Sequence, residues 1–553
     1  MSGRQQVAVV TGGGGGIGGA IAEELGRAGW FVVTVDPLVT LDGSAALEPP
    51  KETTADRIVA AGGAARASFA SVTDGEALRT LFRELAAEHG GLDAVVNVAG
   101  ITRQSGFAHG TEEDWLAVAS VHLDGYLNVL RAALPVMAEA GSGHILGVTS
   151  GSGWRAADAG AYSCAKRVVA ALTWELGRQA PSGVTVNAVS PIAATRMVAA
   201  ALERARQMGR TGGGGGLSLQ GMPGPEALAP LAAYLVSDTF GWCNGRVVFA
   251  GGSEMAVVDE PRLLEVVRTE EVPSVDRVLQ TVIPRALAKA ESAQASGGGS
   301  NPRFGALFDD AEPAAPDEAG DEAGGVRSCV VVTDRPGLGS SITAALAARS
   351  ISSHRIDVAT GFDKAADALR AADDAAGPID AVIVAAAGRQ TPTAPAGWQR
   401  TLAEHEGIVE DLHTDAGWAR AVADYAAATS RPLKLVTVTD AVRSGGRSRA
   451  QAAAQLARVG AATTEGRVSA FAVSVEADDD VAATPAAELV AHLLANPDAA
   501  PLAGAELAVG AGWIGLRGHP RPLGSAVYGG PAVPDWLDGV LRQIVGVPEP
   551  ADR

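Results

Sequence analysis

The stretch VAVVTGGGGGIGGAIAEEL at residues 7–25 decides how this chain folds. A run of apolar, mostly β-branched residues ends in a glycine turn, and residues 17–28 beyond it carry helical periodicity. A strand, a turn too tight for side chains and a helix N-terminus form a cradle for a pyrophosphate, whose oxygens meet backbone N–H groups. Glycines alone do not make that cradle. GGGGG recurs at 212–216, and there a loop is expected.

Outward from this unit, further buried strands are expected at 31–36, 92–100, 143–150, 183–191 and 245–252. Helical segments at 75–89, 112–139, 161–179 and 225–237 separate them. Buried strands alternating with helices predict a parallel sheet covered on both faces. The pattern starts again with CVVVTDRPGLGSSITAAL at 329–346, with strands at 328–334, 353–359, 379–387, 433–439 and 468–475. The fold class is α/β, two tandem Rossmann-like doubly wound parallel-sheet domains, the second truncated and degenerate. Thr11 and Gly100 lie 89 residues apart, whereas their counterparts Thr333 and Gly388 lie 55 apart, so about one βα unit is missing. The expected order is a nucleotide-binding catalytic domain at 1–258, a helical extension at 259–292 and a disordered Gly/Pro/acid-rich linker at 293–326. A degenerate copy at 327–517 and a tail at 518–553 follow.

A chain of 553 residues exceeds one hydrophobic core. With 44 Lys and Arg against 63 Asp and Glu, the net charge of −19 argues against nucleic acid or an anionic membrane as partner. Cys164, Cys243 and Cys329 are too scattered for a metal site or a disulfide framework. No metal is expected. No signal peptide and no apolar run of about 18 residues stands out, so the expected compartment is the cytoplasm.

Gly12, Gly16 and Gly18 shape the turn, and Asp36 ends the second strand 20 residues after Gly16. A carboxylate there accepts hydrogen bonds from the adenosine ribose and repels a 2′-phosphate, and neither Gly13–Gly15 nor Pro37 offers a cation. The expected cofactor is therefore NAD rather than NADP. Tyr162 and Lys166 stand one helical turn apart, and Ser150 ends the fourth strand 12 residues before Tyr162. A nearby ammonium and an oxidised nicotinamide favour phenolate, which equips Tyr162 to take or give a proton at a substrate oxygen that Ser150 also holds.

Thr11–Gly18, Asn97-Val-Ala-Gly100, Ser150, Tyr162/Lys166 and Pro191–Thr195 together resemble the short-chain dehydrogenase/reductase family over about residues 5–255. The resemblance implies a Rossmann fold, NAD(P) and hydride transfer at a hydroxyl or carbonyl. It also implies that Asn97 supports the sheet and that Pro191, Ile192 and Thr195 hold the nicotinamide carboxamide. Lys166 would bond the nicotinamide ribose. Ile17, Ser71, Val72, Ala99 and Gly100 fall at further cofactor positions. His122 stands where the family carries an Asn that supports a proton relay; it is read either as its replacement or as a packed histidine. Ser71 replaces a common Asp, and the Ser150–Tyr162 spacing is one residue short. A narrower likeness, to the (3R)-hydroxyacyl-CoA dehydrogenase region of the peroxisomal multifunctional enzyme, runs through residues 55–72, EEDW at 112–115, VHLDG at 121–125, SPIAATRM at 190–197 and 506–524.

The second copy ends its strand at Asp440 where the first has Ser150, and Gln451 and Gln455 fall near the tyrosine and lysine positions. Ala385 replaces Asn97. Neither glutamine becomes a phenolate or a cation, so catalysis there is not expected. The second copy is read as the inner partner of a pseudo-dimer, with a further homodimer open, or else as a tethered domain with its own binding task. Residues 196–222 are expected to form a substrate lid. Trp154 and Met197 are candidates for its pocket or for plain packing. The expected reaction interconverts a secondary alcohol and a ketone, with a 3-hydroxyacyl or 3-oxoacyl thioester as first substrate class. A steroid or polyketide-type ketone is the alternative, and no basic cluster for CoA phosphates stands out. A non-catalytic acyl or nucleotide sensor is the alternative of another class.

Overall fold

A computed structural model describes residues 4–154, 158, 160–207, 222–270, 272–294, 325–389 and 392–547. The glycine run 212–216 and most of the expected linker lie outside these residues. Among the described residues, two parallel-dominated sheets form, each with helices on both faces. No described helix is long and apolar enough to cross a membrane.

The first sheet is built from β1 (Val7–Thr11), β2 (Phe31–Val35), β3 (Ala64–Ser68), β4 (Ala94–Asn97), β5 (Gly143–Val148), β6 (Val184–Ile192), β7 (Val247–Gly251) and β8 (Glu254–Asp259). The order β8-β7-β6-β5-β4-β1-β2-β3 reverses at β1/β4, where ligands of open α/β sheets bind. β1 is fully buried, as a central parallel strand should be, and its register sets Thr11 beside Asn97. The second sheet repeats the plan with β10 (Ser328–Thr333), β11 (Ser352–Ile356), β12 (Ala381–Ala385), β13 (Leu433–Asp440), β14 (Val468–Val475), β15 (Glu506–Gly510) and β16 (Trp513–Arg517).

Two strands cross between the halves. β9 (Leu263–Arg268) follows β8 in the chain but pairs antiparallel with β16 of the second sheet. β17 (Arg521–Val527) follows β16 but pairs antiparallel with β8 of the first. Each strand brings a helical segment with it. Leu279, Ile283 and Leu287 are buried in the second domain's core. Leu537 and Leu541, from helix Trp536–Val545, are buried in the first. There Asp538 accepts hydrogen bonds from Tyr234 Oη (2.6 Å) and Trp242 Nε1 (2.7 Å).

This corrects two expectations. Residues 263–268 are a strand rather than part of a helical extension, and 518–553 supply a strand and a helix to the first domain rather than a loose tail. The strand was hidden because it lies at a sheet edge. Leu263 and Leu264 are both more than a third exposed, so no period-two alternation marks it.

The halves also meet through helices. Helix Ala161–Gln179 lies against helix Ser444–Ala457, with Cys164 Sγ 3.7 Å from Ala452 O. Arg420 Nη1 donates to Gly110 O at 2.7 Å. One continuous apolar core contains Leu172 and Val168 from the first half and Trp418 and Leu456 from the second.

Candidate active site

At Gly12 and Gly18 the turn leaves no room for side chains. A Cβ on Gly12 (φ +66°) would stand 2.8 Å from Ala99 N, and one on Gly18 would stand 2.2 Å from Gly12 O. Asp36 closes the adjacent end of β2, accepting from Gly14 N (3.1 Å) and Leu38 N (2.9 Å). Thr11 Oγ1 donates to Asn97 Oδ1 at 2.7 Å and accepts from Ala99 N at 3.3 Å, which clamps β1 to β4 beneath the turn. This backbone cradle beside a ribose-facing carboxylate fits a dinucleotide. Arg196 is an addition from the structure: its Nη2 lies 3.9 Å from where a Gly15 Cβ would be, a cation over the turn. It lies far along the chain, where the sequence pattern showed only a lid.

The remaining expected cofactor residues are placed as follows. Val72 is buried, and its carbonyl accepts from Asn128 Nδ2 at 3.0 Å. Ser71 Oγ is engaged by Thr73 Oγ1 at 2.7 Å, so it caps a turn. Gly16 (φ +55°) begins the helix that carries half-buried Ile17. Pro191 and Ile192 stand half-buried at the end of β6, Gly100 is half-buried three residues beyond β4, and Ala99 is buried. Thr195 Oγ1 accepts from Val198 N at 3.2 Å and so starts helix Arg196–Gln207.

Ser150, Tyr162, Lys166 and His122 converge. Ser150 stands two residues beyond the end of β5; its hydroxyl accepts from Ser152 N (3.3 Å) and hydrogen-bonds Tyr162. Lys166 is buried, donates from Nζ to Val148 O at 2.7 Å, and stands 5.7 Å from the Tyr162 ring centroid. Burial pushes the Tyr162 phenol up from its ordinary value, and the hydrogen bond from Ser150 draws it back. Burial takes Lys166 down to about 7.

His122 sits in a π-helical turn, Ser120–Asp124, between helices Glu112–Ala119 and Gly125–Ala140. Such turns often mark functional sites. Its ring meets Tyr162 edge to face at 4.9 Å. His122 Nε2 lies 2.7 Å from Ile101 O and 3.2 Å from Ile101 N, and Nδ1 is buried with no hydrogen-bond partner among the described residues. Burial and the nearby Lys166 hold His122 down to about 3, so it is neutral. Gly100 makes its space: a Cβ there would stand 2.3 Å from His122 Cε1. Trp154 is packing, buried among Ala170, Trp174 and Val258. Met197 is half-buried. Among the described residues, no cluster of His, Cys, Asp or Glu is placed to hold a metal.

The short chain dehydrogenase family model matches residues 6–206. An acetoacetyl-CoA reductase of Cupriavidus necator is 34% identical over 245 residues, 44% of this chain and 94% of the reductase. Nodulation protein G of Azospirillum brasilense is 32% identical over 251 residues, 45% of this chain and 97% of that protein. The chain belongs to the short-chain dehydrogenase family. It is an oxidoreductase of CH–OH groups that interconverts a secondary alcohol and a ketone with a nicotinamide cofactor. The peroxisomal hydratase-dehydrogenase-epimerase of Saccharomyces cerevisiae is 31% identical over 256 residues, 46% of this chain and 27% of that enzyme.

Within this dehydrogenase the second copy carries a different set of residues at the matching place. Seven residues separate Trp115 from His122 and Trp398 from His405; forty separate His122 from Tyr162 and His405 from Gly445. Gly445 and Arg449 therefore stand opposite Tyr162 and Lys166, which corrects the assignment to Gln451 and Gln455. The error has a simple origin. Only residues 441–443 lie between β13 and its helix, against 149–160 after β5, so counting from the strand overshoots. Gly445 admits no side chain, since a Cβ would stand 1.8 Å from Glu404 O. Arg449 is buried and bound bidentately by Asp415 at 2.9 and 2.7 Å. Thr333 Oγ1 donates to Ala385 O at 2.8 Å in place of the Thr–Asn clamp.

Proposed function

We propose that this dehydrogenase interconverts a 3-hydroxyacyl and a 3-oxoacyl thioester, using NAD. The observation that carries the chemistry is the convergence of the Ser150 hydroxyl, the Tyr162 phenol and the buried Lys166 amine at the end of β5. Tyr162 takes the proton of the substrate hydroxyl in oxidation and gives one to the carbonyl in reduction. Ser150 holds the same oxygen. Lys166, when protonated, favours the phenolate. His122, neutral and edge-on to the phenol, keeps that ring in place. A bound nicotinamide cofactor would supply the hydride acceptor or donor, its carboxamide held by Pro191, Ile192 and Thr195 at and beyond the end of β6.

NAD is favoured because the Asp36 carboxylate lies against the glycine turn, where a 2′-phosphate would meet a like charge. Arg196 lies over Gly15 and would meet the pyrophosphate of a bound dinucleotide. The thioester class is supported by the likeness to an acetoacetyl-CoA reductase along nearly its whole length. The second half acts as an internal dimer partner, supported by the packing of helix Ala161–Gln179 on helix Ser444–Ala457.

The test is steady-state hydride transfer by the full chain. NAD(H) is compared with NADP(H) against acetoacetyl-CoA, a series of 3-hydroxyacyl-CoAs and steroid alcohols. A kcat/KM at least tenfold higher for NAD(H) and for thioesters is expected. Equal rates with NADP(H), or turnover confined to steroid alcohols, would overturn the corresponding part of the reading.

A further inference from the structure

We propose that the second half supplies positioning residues for the first half's catalytic serine, through Gln455 and Arg458. This rests on reading Ser150, Tyr162 and Lys166 as the reacting group. Gln455 and Arg458 belong to the copy without a tyrosine, at and just beyond the end of helix Ser444–Ala457. Both reach across to the loop that follows Ser150. Gln455 Nε2 donates to Ser152 O at 3.0 Å, and Arg458 Nη1 donates to Trp154 O at 2.5 Å. Arg458 Nη1 also lies 3.4 Å from Gln455 Oε1, which ties the two donors together.

The loop they hold is a single 3-10 turn, Gly151–Gly153, capped by Ser150 itself. The Ser150 hydroxyl accepts from Ser152 N, and the carbonyl of the same Ser152 is what Gln455 grips. A continuous path therefore runs from Gln455 through the Ser152 peptide to the Ser150 hydroxyl, and from there to Tyr162. A three-residue turn rich in glycine has little intrinsic rigidity, because glycine restricts its backbone least. Its other fixed point is Trp154, packed against Ala170 and Trp174, and Arg458 binds that residue's carbonyl. The second copy's helix, which carries no tyrosine, thus holds the loop that bears the first copy's serine. An error of about 1 Å at such a group is expensive in rate.

The test uses the full chain with Gln455→Met, which keeps the length and removes the donor, and with Arg458→Lys, which keeps a donor. Amide exchange of the peptide spanning 150–154 reports the loop without reference to activity. Gln455→Met is expected to speed that exchange about fivefold, the equivalent of about 1 kcal/mol for one hydrogen bond. Exchange in 161–179 and the thermal midpoint should stay as in the wild type. In the same variant kcat should fall about fivefold with cofactor KM unchanged. The pH midpoint of kcat/KM should move up, because a displaced Ser150 hydroxyl no longer offsets the effect of burial on the phenol. Arg458→Lys should remain near wild type.

Unchanged loop exchange in Gln455→Met would overturn the proposal. So would unchanged kcat alongside faster exchange, or a kcat loss that merely follows a lower thermal midpoint. A wild-type chain that turns over no alcohol or ketone would instead sink the proposed reaction, and loop exchange alone would then decide this inference.

Discussion

Helices Ala161–Gln179 and Ser444–Ala457 occupy the same place in two copies of one fold, and they pack against each other. One carries Tyr162 and Lys166 beside a histidine at the π-turn. The other carries Gly445 and Arg449 beside His405, which is bound to Thr401 O (2.7 Å) and Ser448 Oγ (2.8 Å). The difference lies in chemistry and not in packing: both helices bury a face against the other, and only one carries a phenol and an amine. The buried Arg449, costly to bury alone, is neutralised by the buried Asp415.

The sharpest way to break this comparison is Tyr162→Phe. If all proton transfer belongs to the first copy, kcat should drop about a thousandfold, within the usual range for removing an acid–base group. NADH binding, followed by fluorescence titration, should be unchanged. Residual turnover within tenfold of wild type would place chemistry in the second copy as well.

The exchanged arms give the next largest effect. Leu279→Ala empties a site in the second domain's core and Leu541→Ala one in the first. Each should cost about 3 kcal/mol. In calorimetry both variants should lower one shared transition, because each domain's sheet is completed by the other's strand. A second, separate transition in either variant would mean that the arms do not couple the halves.

A smaller effect separates Lys166 from Arg449. Lys166 has its amine lowered to about 7 by burial, against about 10.4 in an unfolded chain. Between those values the unfolded state binds more protons, so stability rises with pH, by at most about 1.4 kcal/mol per unit. Below pH 7 both states are protonated and the slope vanishes. Lys166→Met should abolish this rise in denaturant titrations of the cofactor-free protein at pH 6 to 9. Arg449, raised by Asp415, should give no such slope for Arg449→Met. Identical slopes in wild type and Lys166→Met would show that the amine is not buried as described.

Much of the active half was legible. The glycine turn, Asp36, Ser150, Tyr162 and Lys166 each sit beside a strand end or within one helical turn of one another. Local spacing therefore placed them. Helices 75–89 and 161–179 matched to the residue, since their apolar periodicity runs for four turns or more. Arg196 was not legible, because its approach to Gly15 depends on a helix that starts 181 residues later in the chain. Gln455 was seen only as a missing lysine, and its actual contact lies across an interface that no single-chain periodicity encodes.

The sequence by itself determined two nucleotide-fold units, one with a complete reacting group and one without a phenol. Strand, turn and helix propensities act over a few residues, and so does the geometry of a pair one turn apart. Only the tertiary structure decided which half owns which strand: that β9 completes the second sheet, β17 the first, and that Gln455 and Arg458 hold the loop after Ser150. Those outcomes depend on edge hydrogen bonds and apolar faces hundreds of residues apart. Their energies are set by which surfaces meet in space and leave no period in the chain.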